Sequence, residues 1–173
     1  MAFSLYDATV VHLLLGLDTL DHILDVAEKQ PNAESLLKAS LYEDMKPLTF
    51  QVHSVTRHSE KILARLSGKE SVEFEDELVS FADLHARIAK VREALQKADK
   101  DEINRQGEEV APTPLPSAGT MNITGKAYAM GAAIPNIDFH LAIAYAILRK
   151  EGVPLGKRDF IMPYVNEHIL KGQ

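Results

Sequence analysis

Pro135-Asn136-Ile137-Asp138-Phe139-His140-Leu141-Ala142-Ile143-Ala144-Tyr145-Ala146-Ile147-Leu148-Arg149 reads as a long core helix. Ile137, Leu141, Ala144 and Leu148 recur at i, i+4, i+7 and i+11, the spacing of a single helical face. Beside that apolar face stand two groups able to bind something, Asn136 and His140, one turn apart. The remainder of the chain reads as scaffolding for this helix.

At 173 residues the chain is long enough for one domain, 1–173, with a real hydrophobic core. Cysteine is absent, which excludes disulfides, thiolate metal ligands and cysteine nucleophiles together. The net charge of -6 arises from acidic and basic residues interspersed along the chain, an arrangement that argues against a nucleic-acid partner. No apolar run approaches the roughly 20 residues needed to span a bilayer. Residues 1–20 lack the basic start of a secretory signal. The expectation is a cytoplasmic protein with no membrane partner.

Working outward, Ser4 or Asp7 is placed to cap a first helix running to about Lys29, buried along Tyr6, Val10, Leu13, Leu14, Leu17, Leu20 and Leu24. Ala33 to Ala39 suits a short helical turn. A second long helix is expected from about Leu41 to Leu66, ending at Gly68, with Pro47 marking a bend or the true start. A third runs from about Ser80 to Lys97 on the seam Phe81, Leu84, Ile88, Val91 and Leu95. From Asp99 to Gly125 the periodicity collapses, and segments near Val110 and Thr120 to Ile123 predict a small hairpin. A fourth helix, about Gly125 to Lys150, is expected to bend at Pro135 beside Asn136 and to end at Gly152-Val153-Pro154. These elements predict an all-α chain: an antiparallel four-helix bundle with a small hairpin insertion before helix 4.

Helical geometry sorts the histidines. Relative to the stripe Leu48, Val52, Val55, Ile62 and Leu66, Gln51 lies roughly 60° and His58 roughly 80° to one side, whereas His53 falls roughly 140° away, facing outward. On the fourth helix His140 lies roughly 60° and Asn136 roughly 100° from the stripe centre, with Asp138 on the other flank. Gln51, His58, Asn136 and His140 therefore edge two buried faces, and where those edges meet they make a polar pocket. Inward polar groups need partners, which a metal, a ligand or each other can supply. His12 is expected to face out, His22 to sit at a boundary, His85 on the flank of the third seam and His168 in the tail. Tyr6 and Tyr145 read as packing residues.

Several stretches carry a family resemblance: Ser4-Leu5-Tyr6-Asp7-Ala8, Asp44-Met45-Lys46-Pro47-Leu48 with Gln51-Val52 and His58, Pro135-Asn136 with Phe139-His140, Ala144-Tyr145-Ala146-Ile147-Leu148-Arg149, and Gly152-Val153-Pro154-Leu155-Gly156-Lys157-Arg158-Asp159-Phe160. Together they resemble an uncharacterised family of bacterial and fungal proteins within the DinB/YfiT-like superfamily. The resemblance implies a bundle with up-down-down-up connectivity, often a homodimer. It also implies a divalent metal held by a second-helix histidine and an H-x-x-x-H pair on the fourth helix, with some members acting as thiol-dependent transferases or isomerases. Here the H-x-x-x-H position reads Asn136-x-x-x-His140, and an amide oxygen is a weak ligand for zinc or nickel. The second-helix position matches His53 by its distance from Gly68 and His58 by its face.

Four readings of function remain, the last of them a purely structural dimer. In the first, a small-molecule transferase or isomerase holds nickel, zinc, iron or manganese on His58 and His140, with Asn136 and Gln51 or water completing the shell. In the second, His58 or His140 serves as general base or acid without metal, with Gln51 and Asn136 binding and orienting the substrate. In the third, the pocket holds a small-molecule ligand without catalysis. Lys157-Arg158 either closes over the bundle end or forms a solvated turn paired with Asp159.

Overall fold

The computed structural model describes residues 2–115 and 119–171, and the chain is mostly helical with one two-stranded sheet. Helix α1 (His12–Glu28) continues a π-helical opening turn, Asp7–Val11. That opening is fixed by Asp7, whose carboxylate accepts from both the backbone N–H and the hydroxyl of Ser4. Leu13, Leu17, Leu20, Ile23 and Leu24 bury one side of α1 completely. A four-residue turn, α2 (Ala33–Leu36), follows the break at Pro31-Asn32.

Helix α3 (Leu48–Leu66) starts a full two turns later than the expected Leu41. Pro47 is its N-cap, with an extended backbone at ψ 173°, and the proline ring also disfavours helix at Lys46 before it. Residues 37–47 instead form turns, tied to α3 where the Leu48 N–H donates to the Ala39 carbonyl. At the other end Gly68 takes φ 62°, the left-handed conformation that costs a side-chain-bearing residue most. Helix α4 (Phe81–Gln96) opens on a reciprocal cap: Ser80 Oγ accepts the Asp83 N–H and Asp83 accepts the Ser80 N–H.

A short helix, α5 (Lys100–Gln106), occupies part of the stretch expected to be irregular; Asp99 caps it by accepting the Glu102 N–H. The expected hairpin is present as antiparallel strands β1 (Val110–Leu115) and β2 (Gly119–Thr124), paired from Val110↔Thr124 to Leu115↔Gly119. Its tip, residues 116–118, lies outside the described residues. Arg65 of α3 grips the hairpin base by donating to the Glu109 and Ile123 carbonyls.

The last long helix, 125–150, is continuous but changes pitch: α6 (Gly125–Tyr128), a π turn (Ala129–Ala133) and α7 (Ile134–Lys150). The irregularity falls one turn before the expected site at Asn136. Pro135 has no N–H to give to the residue four back, and the widened π turn absorbs the mismatch ahead of it. By length and composition Gly125–Lys150 is apolar enough to cross a membrane, which corrects the expectation that no segment approaches this. In the fold its Ile137, Leu141, Ala144, Ile147 and Leu148 are buried, and the helix packs on α3 and α1. Gly152, at φ 86°, turns the chain into α8 (Lys157–Val165) and a final π turn, Asn166–Leu170, laid along α1.

Side-chain pairs give the sense in which the long helices run. Gln51 meets His140 while Arg65 meets the Ile123 carbonyl, so α3 and α7 run oppositely. His85 meets Asp21 while Arg92 meets Asp18, so α4 and α1 also run oppositely. His12 meets Asp138 and Gly16 approaches Leu141, so α1 and α7 run the same way. Thr49 and Phe81 share one concavity and Ala64 and Lys97 another, so α3 and α4 do likewise.

A neutral histidine pair between two helices

Gln51 and His140 project towards each other across the α3–α7 seam. The Gln51 side chain is buried, and its amide Nε2 donates to the Lys46 carbonyl at 2.8 Å. A carbonyl can only accept, so this bond fixes which end of the amide is which. Gln51 Oε1 is then the acceptor for the Nδ1–H of His140, at 2.7 Å. His58, on the same helix as Gln51, gives its own Nδ1–H to the Ser54 carbonyl at 2.7 Å. Both imidazoles are thereby held with a proton on Nδ1 and a lone pair on Nε2.

The two rings lie nearly parallel, 15° between planes and 6.3 Å between centroids. Phe139 and Phe50 set edge-on rings against His140, at 5.4 and 6.0 Å. Burial, with His58 adding a smaller repulsion, holds the His140 imidazolium well below its usual range, to about 4. Burial also lowers His58, although its bond to the Ser54 carbonyl opposes that shift. At neutral pH the pair is therefore uncharged, with two lone pairs available to a ligand's donors.

Of the four residues expected to form a pocket, the structure brings together Gln51, His58 and His140. Asn136 is exposed, and among the described residues it makes no side-chain hydrogen bond to the other three. A concavity of about 890 Å³ lies elsewhere, between the end of α1 and the start of α4, lined by Leu37, Leu78 and Phe81 among others.

His53 corrects the helical-wheel reading: it is only 7% exposed, not outward-facing. Residues 67–80 cross over that side of α3, anchored where Glu60 accepts from Ser71 Oγ and the Val72 N–H. The His53 ring packs on Phe50, its Nδ1 lies 4.0 Å from Asp76, and burial lowers its pKa. His53 is thus a buried histidine at a position where the helical wheel predicts solvent.

His12, also expected to face out, is half-buried and bonded to Asp138 at 2.8 Å. His22 pairs with Asp159 at 2.9 Å, so Asp159 serves His22 and the α8 N-terminus rather than Lys157 or Arg158. Tyr145 packs edge-on against Phe160, and the Lys100 ammonium sits over the Tyr6 ring, which places both tyrosines as packing residues. His168 is exposed in the tail.

The residues most clearly missed are Asp21, Asp25 and Glu28, which surround His85. Their i, i+4, i+7 spacing on α1 is visible in the sequence, but nothing there says that α4 delivers a histidine to the same stripe. Among the described residues, Asp25, Glu28 and His85 are the one group of three such side chains with donor atoms all within 4.8 Å, an arrangement able to hold a cation.

Residues 5–161 match a protein family described as Domain of unknown function (DUF1993). In fold, the chain is similar to a DinB family member protein from Shewanella denitrificans, known from its crystal structure. The two share 32% identity over 91% of each chain, with a TM-score of 0.81. No curated protein matches.

Proposed function

The chain belongs to the DUF1993 family, and from that premise we propose that it is a DinB-like protein that binds a small molecule at the neutral His58–His140 pair and acts on it by proton transfer. The observation that carries this reading is the shared state of the two rings: each Nδ1–H is committed to an oxygen, and neither Nε2 makes a hydrogen bond among the described residues. The environments then divide the roles. The Ser54 carbonyl favours the protonated form of His58, which suits it as the general base. His140, held neutral to about 4, positions a substrate donor without taking its proton. Asn136, exposed one turn before His140, is the residue we assign to substrate contact at the open side. The long helices are read as an antiparallel up-down-down-up bundle forming one domain over 1–173, in a cytoplasmic homodimer.

The superfamily's metal does not fit this pair well. A tetrahedral ion bound by both Nε2 atoms at about 2.05 Å would bring the ring centroids to about 5.2 Å, some 1 Å closer than they stand. The third ligand position carries the exposed amide of Asn136. One feature favours a second reading, a metal-dependent transferase or isomerase using nickel, zinc, iron or manganese. Imidazoles that ligate through Nε2 commonly give Nδ1–H to a carbonyl, as both do here.

Elemental analysis of untagged protein, wild type and with His58→Ala or His140→Ala, separates the two. Stoichiometric metal that disappears in both variants sinks the metal-free reading. If neither variant changes the metal content, the next measurement is an NMR titration with small thiols, amides and carbonyl compounds. Shifts of both histidine ring signals, lost in the alanine variants, are the expected result.

A further inference from the structure

We propose that Asp25, Glu28 and His85 form a second, independent site on the α1–α4 face, one that binds a divalent ion of the zinc class. His85 Nδ1 is 2.6 Å from Asp21 Oδ1, and a carboxylate can only accept, so the ring proton sits there. Asp21 is in turn held by Arg92 Nη2 at 2.9 Å, while Arg92 Nε reaches Asp18 at 3.1 Å. With Nδ1 committed to Asp21, the other ring nitrogen, Nε2, is buried with no hydrogen-bond partner among the described residues. A carboxylate behind a histidine, fixing its tautomer and raising its basicity, is the usual support for an imidazole that ligates a metal.

Two oxygens face the bare nitrogen: Asp25 Oδ1 at 3.7 Å and Glu28 Oε2 at 3.6 Å. Both gaps are too long for a hydrogen bond; a protonated imidazole bonded to either carboxylate would close to about 2.8 Å. They are the right size for an ion between them, since zinc held by nitrogen and oxygen at about 2.0–2.2 Å keeps its donors about 3.3–3.7 Å apart. Charge favours a cation as well. Asp18, Asp21, Asp25 and Glu28 present four carboxylates, and Arg92 is the guanidinium bonded among them. Asp25 and Glu28 are about half exposed, which gives an ion a way in. Glu28 also lines the cavity of about 890 Å³, so the ion would sit at the rim of that concavity.

The experiment uses the full untagged chain carrying His58→Ala and His140→Ala, so that binding at the other histidine pair is removed. Zn²⁺ alone is titrated by calorimetry, and Co²⁺ alone by visible absorption. One ion per chain is expected, with affinity at least tenfold weaker after His85→Gln and again after Glu28→Gln or Asp25→Asn. The last two side chains are exposed enough that the fold survives their change, and an unshifted thermal midpoint checks this. His168→Ala, in the exposed tail, should leave the affinity unchanged. The proposal is overturned if this background shows no saturable binding below millimolar Zn²⁺, or if binding persists with equal affinity after His85→Gln. Metal lost only with His58 and His140 bears on the reading of that pair and leaves this site without support.

Discussion

Gln51 determines which nitrogen of His140 is free. Its amide is oriented by the Lys46 carbonyl at 2.8 Å, so its oxygen must take the His140 Nδ1–H at 2.7 Å, and the lone pair is left on Nε2. The turn before α3 thereby sets the protonation of a ring on α7, a relay from backbone to side chain to side chain. Replacing Gln51 with Leu keeps the bulk but strands the Nδ1–H and the Lys46 carbonyl. The expected loss is about 1–3 kcal/mol of stability, read from urea unfolding. In NMR spectra the His140 ring should show mixed tautomers, whereas Gln51→Glu should keep one tautomer by accepting the same proton.

Stability should fall in mild acid because of the same ring. An unfolded histidine accepts a proton as the pH drops through about 6.5, but His140 in the folded chain refuses it until about 4. The unfolded state then binds more protons than the native state, so the contribution is complete above pH 6.5 and is lost as the pH falls towards 4. Burial lowers His58 and His53 in the same direction and adds to the slope. Urea midpoints measured from pH 7.5 to 4.5 should decline, and His140→Asn should flatten the decline relative to wild type. An equal slope in the two proteins would exclude His140 as a source.

The stripe-forming residues of all four long helices, the hairpin and the stops at Gly68 and Gly152 follow from periodicity and turn chemistry, and they stand where that reasoning puts them. His53 shows where it stops working. A helical wheel assumes one buried face, but α3 has two, because Glu60 draws residues 71 and 72 across its outer side. His53 and Glu60 on that side are buried, as are Gln51 at the α7 seam and Ser54, Thr56 and Ser59, an unusual polar load for one helix. The His85 cluster was half legible: the acidic spacing on α1 is local, while its partner arrives from α4 through packing alone. The late start of α3 was a choice that Pro47 already posed, and the backbone resolves it in favour of a cap.

His53 also yields a test with an unusual sign. Its Nδ1 is buried without a hydrogen-bond partner among the described residues, and Asp76 is 4.0 Å away, too far to satisfy it. Exchanging an unsatisfied polar group for an apolar one of similar reach removes a desolvation penalty rather than a bond. His53→Leu is expected to leave the urea midpoint unchanged or to raise it, with the native spectrum retained. His58→Leu, which abandons a 2.7 Å bond to the Ser54 carbonyl, should lower it by about 1 kcal/mol. A large loss in His53→Leu would mean that this histidine carries a partner, and would return it to the list of site residues.

Gly68 is the last point at which a single atom should matter. The residue sits at φ 62°, and a Cβ there would also come within 2.5 Å of the Gln106 amide nitrogen. Left-handed backbone costs a side-chain-bearing residue about 1–2 kcal/mol, to which the displaced Gln106 tip adds little, since it is the end of a flexible chain. Gly68→Ala should therefore destabilise the protein by about 1–2 kcal/mol, and Gly68→Asn by less, because asparagine tolerates this conformation. The effect should appear in global stability and in faster amide exchange across residues 69–80, which Gly68 launches over α3, while the His58 and His140 ring signals stay in place. If alanine and asparagine cost the same, the penalty lies in the contact with Gln106 rather than in the backbone; Gln106→Ala in the Gly68→Ala protein would then restore the lost stability.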